Sequence, residues 1–426
     1  MVYFRFLIVL AITLLLFGNC KKEEFADEND GMWFPQLSGQ RMENSVLLDW
    51  YKPRFYLMNI IPPHFVNPDF ADIYFSQSME SGFKKIKTVK GEITSTAIEN
   101  LSNGIAHYFY VVLRKKGFDN LESGKIMIIP SEEEIIHHVY ECKRYSLGLG
   151  AAKNGILEIA FTNWDFKWSV AGKDFIEAAV LIYTNSENKI TVIDTFSYSP
   201  VWSPDGNSLI YVTDKKEIAV EGHRPSHLVV YQLLEKKFLH FPDGNNEIRY
   251  PDWKDTGESV VYVKNPGTSG SELWEMKLES VTKTRLVQNN PFSDNTLLNP
   301  DKPDVSPDNK YIFFDAARST DHGGPLSIWK YSFQTKTLEL AFQTEWDDSN
   351  PAVSPSGEKL AFVSNRSGEE NLWIYDLKNK KFSQITGTKQ FYIRKGLGRI
   401  TWADDNTIAF AGSVDEWEGI LTVTVR

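Results

Sequence analysis

The chain has 426 residues, 42% of them hydrophobic and 13% aromatic, with 46 Lys and Arg against 56 Asp and Glu for a net charge of −10. That length fills more than one globular core, and the excess of acid repels phosphate backbones, which argues against nucleic acid as a partner. The only cysteines are Cys20 and Cys142, too few for a disulfide framework or a zinc site built on cysteine pairs.

Arg5 precedes an apolar run from Phe6 to Phe17, too short for a stable bilayer span, and the run ends at Gly18-Asn19-Cys20. Residues 1–19 resemble a bacterial lipoprotein signal peptide, with Leu16 or Phe17 upstream and small Gly18 before the cysteine. That resemblance implies lipidation at Cys20 and a cell-envelope location, on the periplasmic or surface face of the outer membrane. Asn19 departs from the Gly or Ala most common there. Residues 20–36 carry Lys21-Lys22-Glu23-Glu24 and further acids to Asp30, and read as a flexible solvated tether. Cleavage would remove only one charged residue, Arg5, so the exported chain stays acidic and depends on its anchor for contact with lipid.

Residues 37–131 alternate or run apolar at strand lengths between Pro, Gly and Asn turns, as in Val46–Trp50, Ala71–Phe75 and Ile98–Val112. A small β-sandwich is expected. The stretch from Leu101 to Pro130, with an aromatic strand and Gly117 in a turn, resembles the end of a fibronectin type III domain, and Trp50 matches that family's core tryptophan. His107 stands where the family usually has tyrosine, which puts the corner hydrogen bond in question. The segment Pro53–Phe70 is also longer than the corresponding loop.

From residue 132 to 426 the sequence repeats. Trp202, Trp253, Val305, Val353 and Trp402 recur at steps of 48 to 52 residues. Each ends a short strand before a turn: Ser203-Pro204-Asp205-Gly206, Ser306-Pro307-Asp308-Asn309 and Ser354-Pro355-Ser356-Gly357, with degenerate copies at Lys254–Gly257 and Ala403–Asn406. Proline sets φ, Asp or Ser supplies a side-chain hydrogen bond, and Gly or Asn takes the left-handed position. Apolar strands follow, such as Leu209–Val212, Val260–Val263, Ile312–Phe314 and Leu360–Val363, then a third and a fourth strand. A period near 50 with four strands per unit predicts a β-propeller.

These turns resemble the repeats of TolB-type (WD40-like) propellers. Residues 155–195 read as a further blade without the turn motif. The last unit has room for three strands and is expected to borrow a fourth from 135–140, closing a ring of six blades. The expected architecture is all-β: a fibronectin III-like sandwich, then a six-bladed TolB-like propeller.

No P-loop, nucleophile elbow or His-Glu-x-x-His occurs. His137-His138-Val139-Tyr140-Glu141 and Asp321-His322-Gly323-Gly324 lack a third metal ligand, so neither metal nor other cofactor is expected. Propellers related to these accompany serine peptidases of the prolyl oligopeptidase type, where a hydrolase domain joins the ring. The expectation from sequence is a chain that is not an enzyme and binds an envelope protein, peptide or glycan. Its ligand-binding residues would lie where the first strand of each blade enters the channel, at Tyr198, Arg249, Tyr250, Lys302, Asp348, Asn350 and Arg399. An aromatic insertion, Asn163–Trp168, with Trp417 offers a second surface. The competing expectation is a glycan- or peptide-processing enzyme using carboxylates in the channel.

Overall fold

The computed structural model describes residues 37–50, 68–141, 147–153, 158–170, 173–214, 226–244, 246–265, 270–287, 298–318, 325–342, 344–387, 391–393, 398–414 and 417–425. The signal segment, the tether, Cys20, Cys142 and the Asp321–Gly324 string lie outside the described residues, as does most of Pro53–Phe70. No helix among the described residues is long and apolar enough to cross a membrane.

Two sheets face each other in the N-terminal module. Strands Ser38–Met42, Ser45–Asp49 and Ser95–Glu99 form one, and Lys84–Lys90, Phe70–Ser76, His107–Arg114 and Leu121–Glu122 the other, with Ile126–Ile128 also on His107–Arg114. Alternation along Ser45–Asp49 sends Val46 and Leu48 inward, where they meet Trp50, Ile73, Phe109 and Val111. His107 Nε2 lies 3.2 Å from the Ser102 carbonyl, so the imidazole ties the chain back five residues upstream as a corner hydroxyl would. Burial lowers the pKa of that imidazole, against the raising effect of the Ser102 bond.

Five four-stranded antiparallel sheets follow, each built from consecutive strands. Their first strands are Leu147–Lys153, Ser197–Trp202, Glu247–Lys254, Leu298–Val305 and Asp348–Val353. A sixth sheet holds Thr401–Asp404, Thr407–Val414 and Trp417–Thr424. On its outer side Ile136–Glu141, from the segment expected to lend a strand, pairs antiparallel with Trp417–Thr424. On its inner side the unanticipated strand Phe391–Ile393 pairs with Thr407–Val414, with Ile393 opposite Gly412. A Cβ at Gly412 would stand 2.4 Å from the Tyr392 carbonyl, so only glycine admits that strand. The first strands touch their neighbours in order, and the last returns to the first, which makes them the inner wall of a propeller.

The turn motif works as its chemistry requires. Ser203 Oγ donates to Asp205 Oδ1 at 2.5 Å and accepts from Ser208 N at 2.9 Å, while Gly206 takes φ 70°. Ser306 and Ser354 repeat this with Tyr311 N and Lys359 N, each at 3.0 Å, and Asn309 and Gly357 take φ 55° and 74°. The strands launched by these turns are the buried centre of each sheet, and Leu209–Val212, Val260–Val263 and Leu360–Val363 are wholly inaccessible. The aromatic stretch Asn163–Trp168 is a continuation of strand Glu158–Val170 past a register shift, within a long hairpin with Lys173–Thr184. It is not an inserted loop.

The sandwich is docked on the fifth sheet. Gly39 N donates to Ser367 O at 2.9 Å, Arg41 N to Gly387 O at 3.0 Å and Met127 N to Arg366 O at 2.6 Å. Met127 and Ile129 join a core with Phe342, Trp373 and Tyr375, and Trp346 Nε1 donates to Lys125 O. Arg41 and Glu134, both buried, pair at 3.0 Å beside this seam. Apolar contact, backbone bonds and a buried ion pair make the two modules one packed unit.

A carboxylate and arginine cluster in the propeller channel

Each inner strand from the second to the fifth sheet breaks register at one place. The shifts lie between Tyr198 and Val201, Arg249 and Asp252, Asp301 and Asp304, and Ser349 and Ala352. At each break a non-glycine residue has positive φ, namely Ser199, Tyr250, Lys302 and Asn350, at 56°, 49°, 43° and 56°. Each is followed by proline, which has no N–H, so the interrupted ladder loses no donor there. The displaced backbone is satisfied from the neighbouring sheet: Ser199 N donates to Thr162 Oγ1 at 3.0 Å and Asn350 N to Asp315 Oδ2 at 2.7 Å.

The residue after the proline decides what the bulge carries. It is Val201 in the second sheet and Ala352 in the fifth, but Asp252 in the third and Asp304 in the fourth. Asp252 Oδ2 accepts from Val305 N and Asp304 Oδ2 from Val353 N, each at 2.7 Å, so both carboxyls tie their sheet to the next. Trp253 Nε1 and Trp402 Nε1 reach the other way, to Val201 O at 3.1 Å and Ala352 O at 2.9 Å.

Arg399, from the entry to the sixth sheet, faces these carboxyls across the ring. Its Nη1 donates to Pro303 O at 2.6 Å and its Nη2 to Pro251 O at 3.0 Å. Tyr250 lies beneath two cations, with Lys302 Nζ 5.2 Å and Arg399 Cζ 5.9 Å from its ring centre. Lys302 Nζ also sits 3.3 Å from Asp301 and 3.9 Å from Asp315. Burial alone would depress the Lys302 ammonium, but Asp315 and Asp301 outweigh it and hold the pKa above the ordinary lysine range. Burial raises the Asp252 carboxyl, opposed by Arg399. The Asp304 carboxyl is pushed up to about 8 by burial and then by the charge of Asp252. The two carboxyls are thus both raised and titrate as a pair.

Of the seven residues expected at the mouth, Tyr250, Lys302 and Arg399 meet here. Arg249 flanks them half exposed, 3.7 Å from Glu247 and 3.4 Å from Ser271 Oγ. Tyr198 stacks on Trp164 with ring centres 5.3 Å apart, and burial raises its hydroxyl pKa. Asp348 and Asn350 lie deeper, at 0% and 1% exposure. Asp348 pairs at 2.7 Å with Arg366, itself 1% exposed. The Arg366 guanidinium lies over Phe342, Trp346, Phe362, Trp373 and Phe382 at 4.3 to 5.6 Å. Burial lowers that guanidinium's pKa and Asp348 opposes the shift.

The sequence reading missed Asp252, Asp304 and Asp315. The first two carried a signal, since acids stand where sister repeats have Val201 and Ala352. Of Trp168 and Trp417 only the strand positions are described. His137 and His138 are exposed on the closing strand, and no cluster of three or more metal-ligating side chains occurs among the described residues.

A family model described as the N-terminal region of dipeptidyl peptidase IV matches residues 306–402. This match overturns the expectation that the chain is not an enzyme, because the region it describes belongs to a peptidase. The physical gap in that expectation was its reliance on nucleophile motifs, which leaves carboxylate pairs assembled by the fold unseen. An uncharacterized protein of Agrobacterium fabrum, Atu1656, is 27% identical over 164 residues, 38% of this chain and 49% of its own. The chain thus spans about half the length of that curated relative. Among solved structures, a protein assigned as TolB from Agrobacterium tumefaciens is 14% identical, with TM-score 0.46 over 70% of this chain and 94% of its own. TolB from Acinetobacter baumannii is 12% identical, with TM-score 0.42 over 92% and 82%. An oligogalacturonate lyase from Vibrio parahaemolyticus is 8% identical, with TM-score 0.45 over 76% and 86%. Among the described residues the chain is all-β, and its cyclic array of sheets is a propeller.

Proposed function

We propose that the chain is a lipid-anchored envelope protein, acylated at Cys20, with a fibronectin III-type module at 37–131 and a six-bladed TolB-like propeller at 132–426. The propeller mouth takes an envelope protein, peptide or glycan. Six sheets in cyclic contact and the pairing of Ile136–Glu141 with Trp417–Thr424 support the blade count. The division into a three-stranded sheet and a larger facing one, with Trp50 between, supports the fibronectin-like module.

One observation carries the binding reading: Tyr250 and Lys302, on the inner strands of the third and fourth sheets, converge with Asp252, Asp304 and Arg399, which enters just before the sixth sheet. Aromatic and charged groups fixed in a concavity suit recognition of a polar segment. The full chain, immobilised in detergent, is expected to retain a component of solubilised envelope. Arg249→Glu combined with Tyr198→Ala should weaken that retention about tenfold, roughly 1.4 kcal/mol. Equal retention by both proteins contradicts the reading.

A second reading, processing of a glycan or peptide in the channel, is favoured by the Asp252–Asp304 pair. Two interacting carboxyls that share a proton can serve as an acid and a base. Turnover that Asp304→Asn abolishes while retention persists selects this reading.

A further inference from the structure

Pro251 and Pro303 lie inside the bulges, between residues that pair and residues that do not, and their carbonyls accept from Arg399. Two carboxyls, Asp252 and Asp304, follow directly; they make no ion pair with the guanidinium, their oxygens accepting from Val305 N and Val353 N, but its charge acts on both. Bulged backbone, held by left-handed Tyr250 and Lys302, thus aims two carbonyls at one planar cation, with two carboxyls close behind them in sequence. Arg399 comes from the far side of the ring, since the first strand of its sheet touches those of the fifth and first sheets, whereas Pro251 and Pro303 belong to the third and fourth. Its fit is partial: Arg399 Nε is buried with no hydrogen-bond partner among the described residues. The other two complete bulges carry Val201 and Ala352, so the acceptor set is assembled only opposite Arg399.

We infer that Pro251 O, Pro303 O, Asp252 and Asp304 form a guanidinium-binding site that the protein's own Arg399 fills, barring the channel until an outside guanidinium, such as an arginine side chain, takes its place. This rests on the same cluster as the mouth reading but requires no envelope partner, so a guanidinium response and envelope retention can fail independently.

The probe is methylguanidinium, with urea as its neutral, equally planar control. In the full-length protein Arg399→Ala is expected to lower the thermal midpoint, and millimolar methylguanidinium to restore most of the loss while urea does not. Wild-type protein, its site occupied, should respond far less, and Arg399→Ala carrying Asp252→Asn and Asp304→Asn should not respond. Should Arg399→Ala not fold unaided, recovery of folded protein on refolding with methylguanidinium, and not with urea, reads the same site. Failure of methylguanidinium to act on Arg399→Ala in either assay overturns the inference, as does an equal response in wild type or in the triple variant.

Discussion

Asp304 illustrates how one side chain combines structural and chemical demands. Its carboxyl caps Val353 N of the next sheet, yet burial and Asp252 drive its pKa up to about 8. A carboxyl whose folded pKa exceeds its unfolded value of about 3.9 stabilises the native state fully below the lower value, and that stabilisation is lost as pH rises through the higher one. Asn accepts the same amide bond without titrating. Asp304→Asn should therefore lose less stability than wild type between about pH 5 and 9, read as denaturant midpoints across that range. Parallel pH profiles would show that the proton is not held at Asp304. The turn serines were legible because Ser203, Asp205 and Gly206 act within a few residues of one another. Asp252 and Asp304 each stood out against Val201 and Ala352 of the sister repeats, but their pairing was not legible, because they lie one repeat apart and meet only when the ring brings their sheets together. Arg366 was hidden for a similar reason, as its aromatic neighbours Phe362, Trp373 and Phe382 come from three strands, Phe342 and Trp346 from a loop, and Asp348 from a further strand.

Among the elements, strand Ile136–Glu141 has the largest consequence for its length. It covers the outer edge of the last sheet, with Tyr140 opposite Ile420 and Ile136 opposite Val423. Without it Trp417–Thr424 exposes an unpaired ladder, a template for aggregation. Deleting residues 135–141 should lower the thermal midpoint and give aggregates on size exclusion, whereas deleting 20–36 should change neither. Similar behaviour of the two deletions would show that the strand does not close the ring. The need for this strand was legible, since three strands remained after Ile400 and a fourth had to come from elsewhere. Strand Phe391–Ile393 was not legible, because nothing local marks Gly412 as the position that admits it.

At the scale of the molecule, sandwich and propeller share a seam that no local pattern announces. Gly368, at φ 88°, packs so closely that a Cβ there would stand 2.1 Å from the Leu37 carbonyl. Gly368→Ala must therefore shift the sandwich off the fifth sheet and opens contacts around Met127 and Ile129. Calorimetry of wild-type protein should show one cooperative transition, and the variant should split into two, the lower one belonging to the sandwich. One unsplit transition in the variant would mean that the seam does not couple the modules.

The claim that the channel mouth is where this protein meets its ligand is tested most directly by crosslinking in intact cells, with a photoreactive residue at position 249 or at position 234. Arg249 flanks the cluster, while Leu234, 81% exposed, lies at the opposite end of the second sheet, beyond Gln232 and its partner Ser208. The account predicts a discrete adduct from 249 and none from 234; the same adducts from both positions, or an adduct from 234 alone, would contradict it.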